Sequence, residues 1–285
     1  MTMPTEADPL SGPDSTTELA STRDGLTQLR RRWRPRRARA ALLLVHGIGE
    51  HSGRYEHLGS SLAAAGIDVL AFDHRGFGQS GGARAHVGSF DEYLDDVEDL
   101  LAVRRRLSLP VVLFGHSLGG LIVARYLVQG RTRPDLAVLS APALAATVPA
   151  WQRAAAPVAA RVARRLFMPS RIAVDLHSRD PEVGRAYDED PLVIGGATAG
   201  LGHALFGAMA ATAAAAERIT VPLYVVHGGE DRLVPPSASE VFEHLPNATR
   251  RVYPTLRHEC FNEPERDDVV ADLLGWLDAQ LDALT

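Results

Sequence analysis

The chain has 285 residues, 46% of them hydrophobic, which is enough for one large domain with its own core and room for an inserted subdomain. A formal charge of −5 makes no case for nucleic acid, and the single cysteine, Cys260, excludes an intrachain disulfide, a CxxC pair and a thiolate zinc site. All thirty basic residues are arginine, which excludes a Schiff-base lysine, a pyridoxal-phosphate anchor, a Walker lysine and a Ser-Lys dyad.

Residues 1–16 are rich in Pro, Ser, Thr, Asp and Glu and are expected to form a disordered lead-in. They are acidic and polar where a signal peptide is basic and then apolar, and no apolar run approaches the ~20 residues needed to span a bilayer. The expectation is a cytoplasmic chain, at most peripherally attached to a membrane. The stretch TELASTRDGLTQLRRRW predicts a hairpin turned by Asp24-Gly25. Seven arginines between Arg30 and Arg39 surround Trp33. They read either as a solvated hairpin and loop or as a patch drawn to anionic lipid, where each basic residue contributes ~1 kcal/mol.

From Ala40 the pattern becomes regular. The apolar runs ALLLVHG, IDVLAFD, PVVLFG, LAVLSAP and PLYVVHG read as buried strands. Helices are predicted between them at Tyr55–Ala65, Asp91–Leu107, Leu118–Gln129, Ser237–Leu245 and Arg266–Leu281. This alternation implies the α/β class, a mainly parallel sheet flanked by helices. Between Ala143 and Arg218 the rhythm breaks into Ala-rich helical stretches carrying Trp151, Phe167, Met168, Phe206 and Met209. The expected organisation is therefore a core of residues 17–142 and 219–285 interrupted by a helical cap at 143–218.

The motif with the most chemistry is Gly115-His116-Ser117-Leu118-Gly119, which follows the apolar run VVLF and opens a helical pattern. This is GxSxG in the strand–turn–helix setting that presents a nucleophilic serine. A serine on so sharp a turn crowds the residues two before and two after it, hence the glycines. A serine hydroxyl is a weak nucleophile at neutral pH, so it needs a base, and the base needs an orienting acid; in this fold they follow in the order Ser, acid, His. Asp231 lies in the loop after the run PLYVVHG, and Glu230 beside it is not separated from it by periodicity, although Asp231 is favoured. His258, after a short strand and before the last helix, is the expected base. His227 precedes the acid and His244 fits a helix interior, so both read as structural; His177 and His203 fall in the insertion. Backbone N–H groups of Leu118 and, after the first parallel strand, Ile48 are the candidate oxyanion hole.

Two competing motifs fail. Gly76 to Gly81 matches GxGxxG after IDVLAFD, but no helix opens behind it, so it reads as a structural loop rather than a dinucleotide site. His258-Glu259 does not continue to HExxH, because Asn262 stands where the second histidine belongs. No metal and no cofactor is expected.

The segments HGIGEHSGRY, DHRGFGQSGG, GHSLGG, LSAP, SRDPEVGRAYDEDPL, DRLVPP and HECFNEPER closely resemble the bacterial monoacylglycerol lipases, lid-bearing α/β-hydrolases related to the mammalian enzyme. Together they cover residues 41–280. The resemblance implies the α/β-hydrolase fold, the triad Ser117, Asp231 and His258, the oxyanion amides of Ile48 and Leu118, and a cap that forms an acyl tunnel. It makes Tyr187 a candidate for contacting the glycerol hydroxyls, with simple cap packing equally open, and Glu50, His51 and Arg54 supports behind the site. It also implies hydrolysis of monoacylglycerol to glycerol and fatty acid, but it does not reach the first sixteen residues or the arginine cluster; peripheral membrane contact is expected from composition alone, through the apolar residues of the cap or through the arginines. A carboxylesterase or lysophospholipase would use the same machinery with another pocket, and a non-catalytic binding protein on this fold is the alternative from outside enzymes.

Overall fold

The computed structural model describes residues 12–148, 150–170 and 172–284, without the side chains of residues 150–152. Ten strands form in chain order: β1 (Thr16–Ser21), β2 (Thr27–Trp33), β3 (Ala40–Val45), β4 (Ile67–Phe72), β5 (Val111–His116), β6 (Leu136–Ser140), β7 (Phe167–Pro169), β8 (Gly196–Thr198), β9 (Leu223–Gly228) and β10 (Ala248–Tyr253). Seven α-helices accompany them: α1 (Glu56–Ala64), α2 (Asp91–Arg105), α3 (Leu118–Val128), α4 (Ala150–Val162), α5 (Pro181–Glu189), α6 (Ala199–Ala213) and α7 (Arg266–Asp282).

Eight strands make one sheet in the order β1-β2-β4-β3-β5-β6-β9-β10. The hairpin β1–β2 is antiparallel and joins β4 antiparallel; every pairing from β4 to β10 is parallel. All six residues of β3, Ala-Ala-Leu-Leu-Leu-Val, are buried, as a strand covered on both faces requires. The period-2 alternation of its side chains then divides two cores. Leu43 and Val45 join residues of α2, α3 and α6 on one face, while Leu42 and Leu44 join Leu58 and Leu62 of α1 and Val269, Leu273 and Leu277 of α7 on the other.

Most of the expected lead-in, residues 1–11, lies outside the described residues. The rest of it is tied down rather than loose. Gly12 N–H donates to Ser60 Oγ at 3.0 Å, Ser15 N–H donates to Glu56 at 2.9 Å, and Thr16 opens β1. The arginine cluster is largely structural: Arg32 pairs with Asp68 at 2.5 Å, Arg31 reaches Ser15 Oγ at 2.7 Å, and Arg39 pairs with Asp278 at 2.5 Å. Arg34, Arg36 and Arg37 are exposed and have no polar partner among the described residues.

Between β6 and β9 the chain leaves the main sheet. There α4 packs on α6, and α6 packs on α3 of the core. This stretch also holds the antiparallel pair β7–β8, absent from the sequence expectation because three residues carry no readable period. The helix expected at Ser237–Leu245 is a 3-10 helix at Pro236–Phe242. Pro246 disfavours helical backbone at Leu245 and so caps the length of the segment, which is left as a short run of tight turns.

Candidate active site

Ser117 stands between β5 and α3 with φ 53° and ψ −113°, a backbone state that L residues avoid and that packing must enforce. The enforcement is visible in its neighbours. A Cβ at Gly119 would lie 1.9 Å from the Val45 carbonyl oxygen, and one at Gly115 would lie 2.3 Å from the Gly119 oxygen. Ser117 N–H donates to Ser140 O at 2.9 Å, and its carbonyl accepts from Leu121 N and Ala143 N at 3.0 Å each. The serine is thus bolted to the end of β6 as well as to α3.

His258 and Asp231 are both buried, and His258 Nδ1 donates to Asp231 Oδ2 at 2.7 Å. That bond leaves Nε2 as the ring's free nitrogen, and His258 shares with Ser117 a small cavity also lined by Ile48, His177 and Tyr187. Of the two adjacent acids, Glu230 is exposed and Asp231 is the one bonded to His258. Asp231 Oδ1 accepts from Leu233 N at 2.8 Å and Val234 N at 2.9 Å, and His227 Nε2 lies 3.2 Å from Oδ2. Burial opposes ionisation of Asp231, but His258, His227 and these amides outweigh it and hold the carboxyl below the usual range. Burial likewise disfavours a charged His258, yet the Asp231 carboxylate raises its pKa above the ordinary imidazole value. His116, beside the serine, is pushed down to about 4 by burial and by His258, so it is neutral at pH 7.

Leu118 N–H begins α3, where helical geometry supplies no acceptor. Ile48 N–H lies in the loop after β3, and neither amide has a hydrogen-bond partner among the described residues. The rest of that loop is held from beneath: the Glu50 carboxylate accepts from Gly47 N–H and, at 2.6 Å, from Tyr55 OH. Arg54 bonds Glu50 at 2.7 Å and both oxygens of Glu259 at 2.8 and 2.9 Å. Burial penalises both carboxylates, but Arg54 lowers the pKa of each.

Tyr187 of α5 is buried against His177, ring centroids 4.1 Å apart, with the Arg54 guanidinium 4.8 Å over its ring. Burial pushes its hydroxyl up to about 12. Tyr187, Ile48 and Ile172 line both the small cavity at Ser117 and a larger cleft of about 200 Å³. The larger cleft is walled mainly by apolar side chains, among them Ala159, Met168, Ile194 and Phe206. The geometry therefore joins the polar pocket that holds the serine to an apolar one across Ile48, Ile172 and Tyr187.

The profile of the serine aminopeptidase S33 family matches residues 36–265. The chain belongs to the S33 family. A monoacylglycerol lipase of Mycolicibacterium smegmatis is 38% identical over 255 residues, spanning 85% of this chain and 89% of its own. Phospholipase YtpA of Bacillus subtilis is 32% identical, spanning 83% of this chain and 94% of its own. Among solved structures, a monoacylglycerol lipase of Paleococcus ferrophilus is similar with a TM-score of 0.82 and 33% identity, covering 92% of this chain and 99% of that one. The fold is the α/β-hydrolase fold, as the sequence led one to expect.

In this S33 chain the six site residues expected from sequence are gathered at one end of the sheet: Ser117, His258, Ile48 and Tyr187 around one cavity, Leu118 beside the serine and Asp231 behind the histidine. Sequence reasoning missed three others. His227 touches Asp231, and His177 donates from Nδ1 to Glu259 at 2.8 Å while accepting Glu259 N–H on its carbonyl at 2.8 Å. Glu259 carries the Arg54 bonds described above. Only adjacency to His258 marked it, and nothing local marked His177. The Gly76–Gly81 loop closes on itself, Gly76 N–H donating to Gly81 O at 2.8 Å.

Proposed function

We propose that this protein hydrolyses monoacylglycerol to glycerol and a fatty acid through an acyl-enzyme on Ser117. The observation that carries this reading is the meeting, across Ile48, Ile172 and Tyr187, of a larger apolar cleft with the small polar pocket that Ser117 lines, the two halves of a monoacylglycerol. His258 Nε2 takes the Ser117 proton as Oγ bonds the ester carbonyl carbon, and the oxyanion rests on the Ile48 and Leu118 N–H groups, each worth ~3 kcal/mol. Collapse breaks the bond to the glycerol oxygen, which leaves with the proton from His258. Water, deprotonated by His258, then releases the fatty acid and restores Ser117. Asp231 stays ionised throughout and stabilises the imidazolium.

The polar pocket supports a neutral alcohol. Its carboxylates, Glu50 and Glu259, are already engaged by Arg54 and His177, which leaves neither free for the ammonium of a peptide. Two carboxylates against one guanidinium also disfavour a phosphate headgroup. Tyr187 is assigned to the glycerol side of this pocket.

Residues 143–218 act as the cap over the core of 17–142 and 219–285. No helix among the described residues is long and apolar enough to cross a membrane. Contact with a lipid surface falls to the exposed Val158, Val162, Leu166 and Phe167, with Arg161, Arg164 and Arg165 among them. The exposed Arg34, Arg36 and Arg37 add a second basic patch.

Turnover of mono-, di- and triacylglycerols and of a lysophospholipid, with Ser117→Ala as control, tests the reading. Monoacylglycerol should be preferred and Ser117→Ala inert. Preference for another of these esters would overturn the substrate, and turnover by Ser117→Ala would overturn the mechanism.

A further inference from the structure

The loop that carries Ile48 is gripped from two sides. From the core, Glu50 fixes the Gly47 N–H and His46 Nδ1 lies 2.7 Å from the Gly47 carbonyl. From the opposite side it is met by the segment between α5 and β8. Asp190, at the end of α5, lies with Oδ2 2.8 Å from His51 Nε2. Since His51 Nδ1 accepts the Gly53 N–H at 3.1 Å, it is Nε2 that carries a proton and donates to Asp190. The other oxygen of Asp190 accepts Leu192 N–H at 2.8 Å, which turns the chain so that Ile194 N–H reaches the Gly49 carbonyl at 2.8 Å. The approach is as close as a glycine permits: Gly49 has φ +78°, and a Cβ there would lie 2.8 Å from the Ile194 oxygen.

Gly47 and Gly49, the residues on either side of Ile48, are thus pinned by different parts of the molecule, one by the core and the other by the segment bearing Asp190. An amide that must meet an oxyanion within a few tenths of an ångström depends on both. We propose that Asp190 is a positioning residue, which through His51 and the Ile194–Gly49 bond sets the orientation of the Ile48 N–H. The oxyanion hole is then complete only when the 190–194 segment is seated. This rests on the reading of Ser117 and Ile48 given above.

The test uses Asp190→Ser, which can still accept Leu192 N–H but is too short for His51, and Asp190→Asn, whose single amide oxygen can accept from His51 or from Leu192 N–H but not from both. The substrate is a soluble short ester, p-nitrophenyl butyrate, which needs little of the apolar cleft. Asp190→Ser should lower kcat by about 10- to 100-fold with KM nearly unchanged, the range usual for residues that orient a reacting group. It should weaken a boronic acid, which mimics the tetrahedral adduct, in parallel. Asp190→Asn should recover part of both, and His51→Ala combined with Asp190→Ser should be no worse than either alone. Unchanged kcat and boronate affinity in Asp190→Ser would overturn the proposal, as would a loss confined to lipid dispersions. Turnover by Ser117→Ala would instead bring down the reading beneath it.

Discussion

His227 and His258 approach the same oxygen of Asp231, Oδ2, at 3.2 and 2.7 Å. His227 Nε2 also lies 3.0 Å from the Val234 carbonyl, so this nitrogen bears the hydrogen and the carboxylate charge is shared between two rings. Removing one ring concentrates that charge on the other.

His227→Leu should therefore raise the pKa of His258. The base must be neutral to act, so the acid limb of kcat/KM should move to higher pH, with a loss of about tenfold or less at neutrality. The wild-type limb should already lie above the ~6.5 of free imidazole, because the His258 value is raised. The sign for stability is opposite. A raised His258 pKa stabilises the fold fully below the unfolded value and loses that contribution as pH rises through the folded one. Asp231, lowered, stabilises above its unfolded value and fails only in strong acid. On acidification activity should vanish well before the protein unfolds, which parallel rate and Tm profiles would check.

Arg54→Ala should strip the single guanidinium from between Glu50 and Glu259, both buried. Removing one partner of a buried ion pair typically costs about 3 to 5 kcal/mol, so Tm should fall sharply even though His177 still holds Glu259 and Tyr55 still holds Glu50. Adding Glu259→Gln should restore part of it, and chemical denaturation of the single and double variants would show whether it does.

Gly202 lines the apolar cleft, and a Cβ there meets nothing within 4 Å. Gly202→Leu should accordingly fold normally while filling part of the cleft. The expected result is a shift of preference toward shorter acyl chains, read from kcat/KM across a series of monoacylglycerols.

Val158 and Val162 of α4 are 65% and 77% exposed, far more than apolar residues need be on a free helix face. Replacing both with glutamate should reduce sedimentation with anionic vesicles and activity on lipid dispersions. Activity on a soluble butyrate ester should hold, and equal losses on both substrates would count against membrane docking.

The central sheet was legible because strands buried on both faces must be unbroken apolar runs, as in the Ala-Ala-Leu-Leu-Leu-Val of β3. Ser117 was legible because its turn admits only glycine at 115 and 119. What local sequence could not reveal are pairs made by folding alone. His177 and Glu259 are 82 residues apart, and His51 and Asp190 are 139 apart. His227 was set aside because chain order places it before the acid. Order pointed to the histidine that shares a cavity with the serine, but not to the one that steadies the carboxylate.

The excursion between β6 and β9 leaves at the end of one strand and returns to its hydrogen-bonded neighbour, and Ser117, Asp231 and His258 all lie outside it. Such a layout invites exchange, because a donor segment could be spliced in without touching these three residues. The contacts of Asp190 with His51 and of Ile194 with Gly49 limit that freedom. A chimera that changed what binds, but did not carry an acid and an amide at these two points, would arrive with its chemistry already weakened.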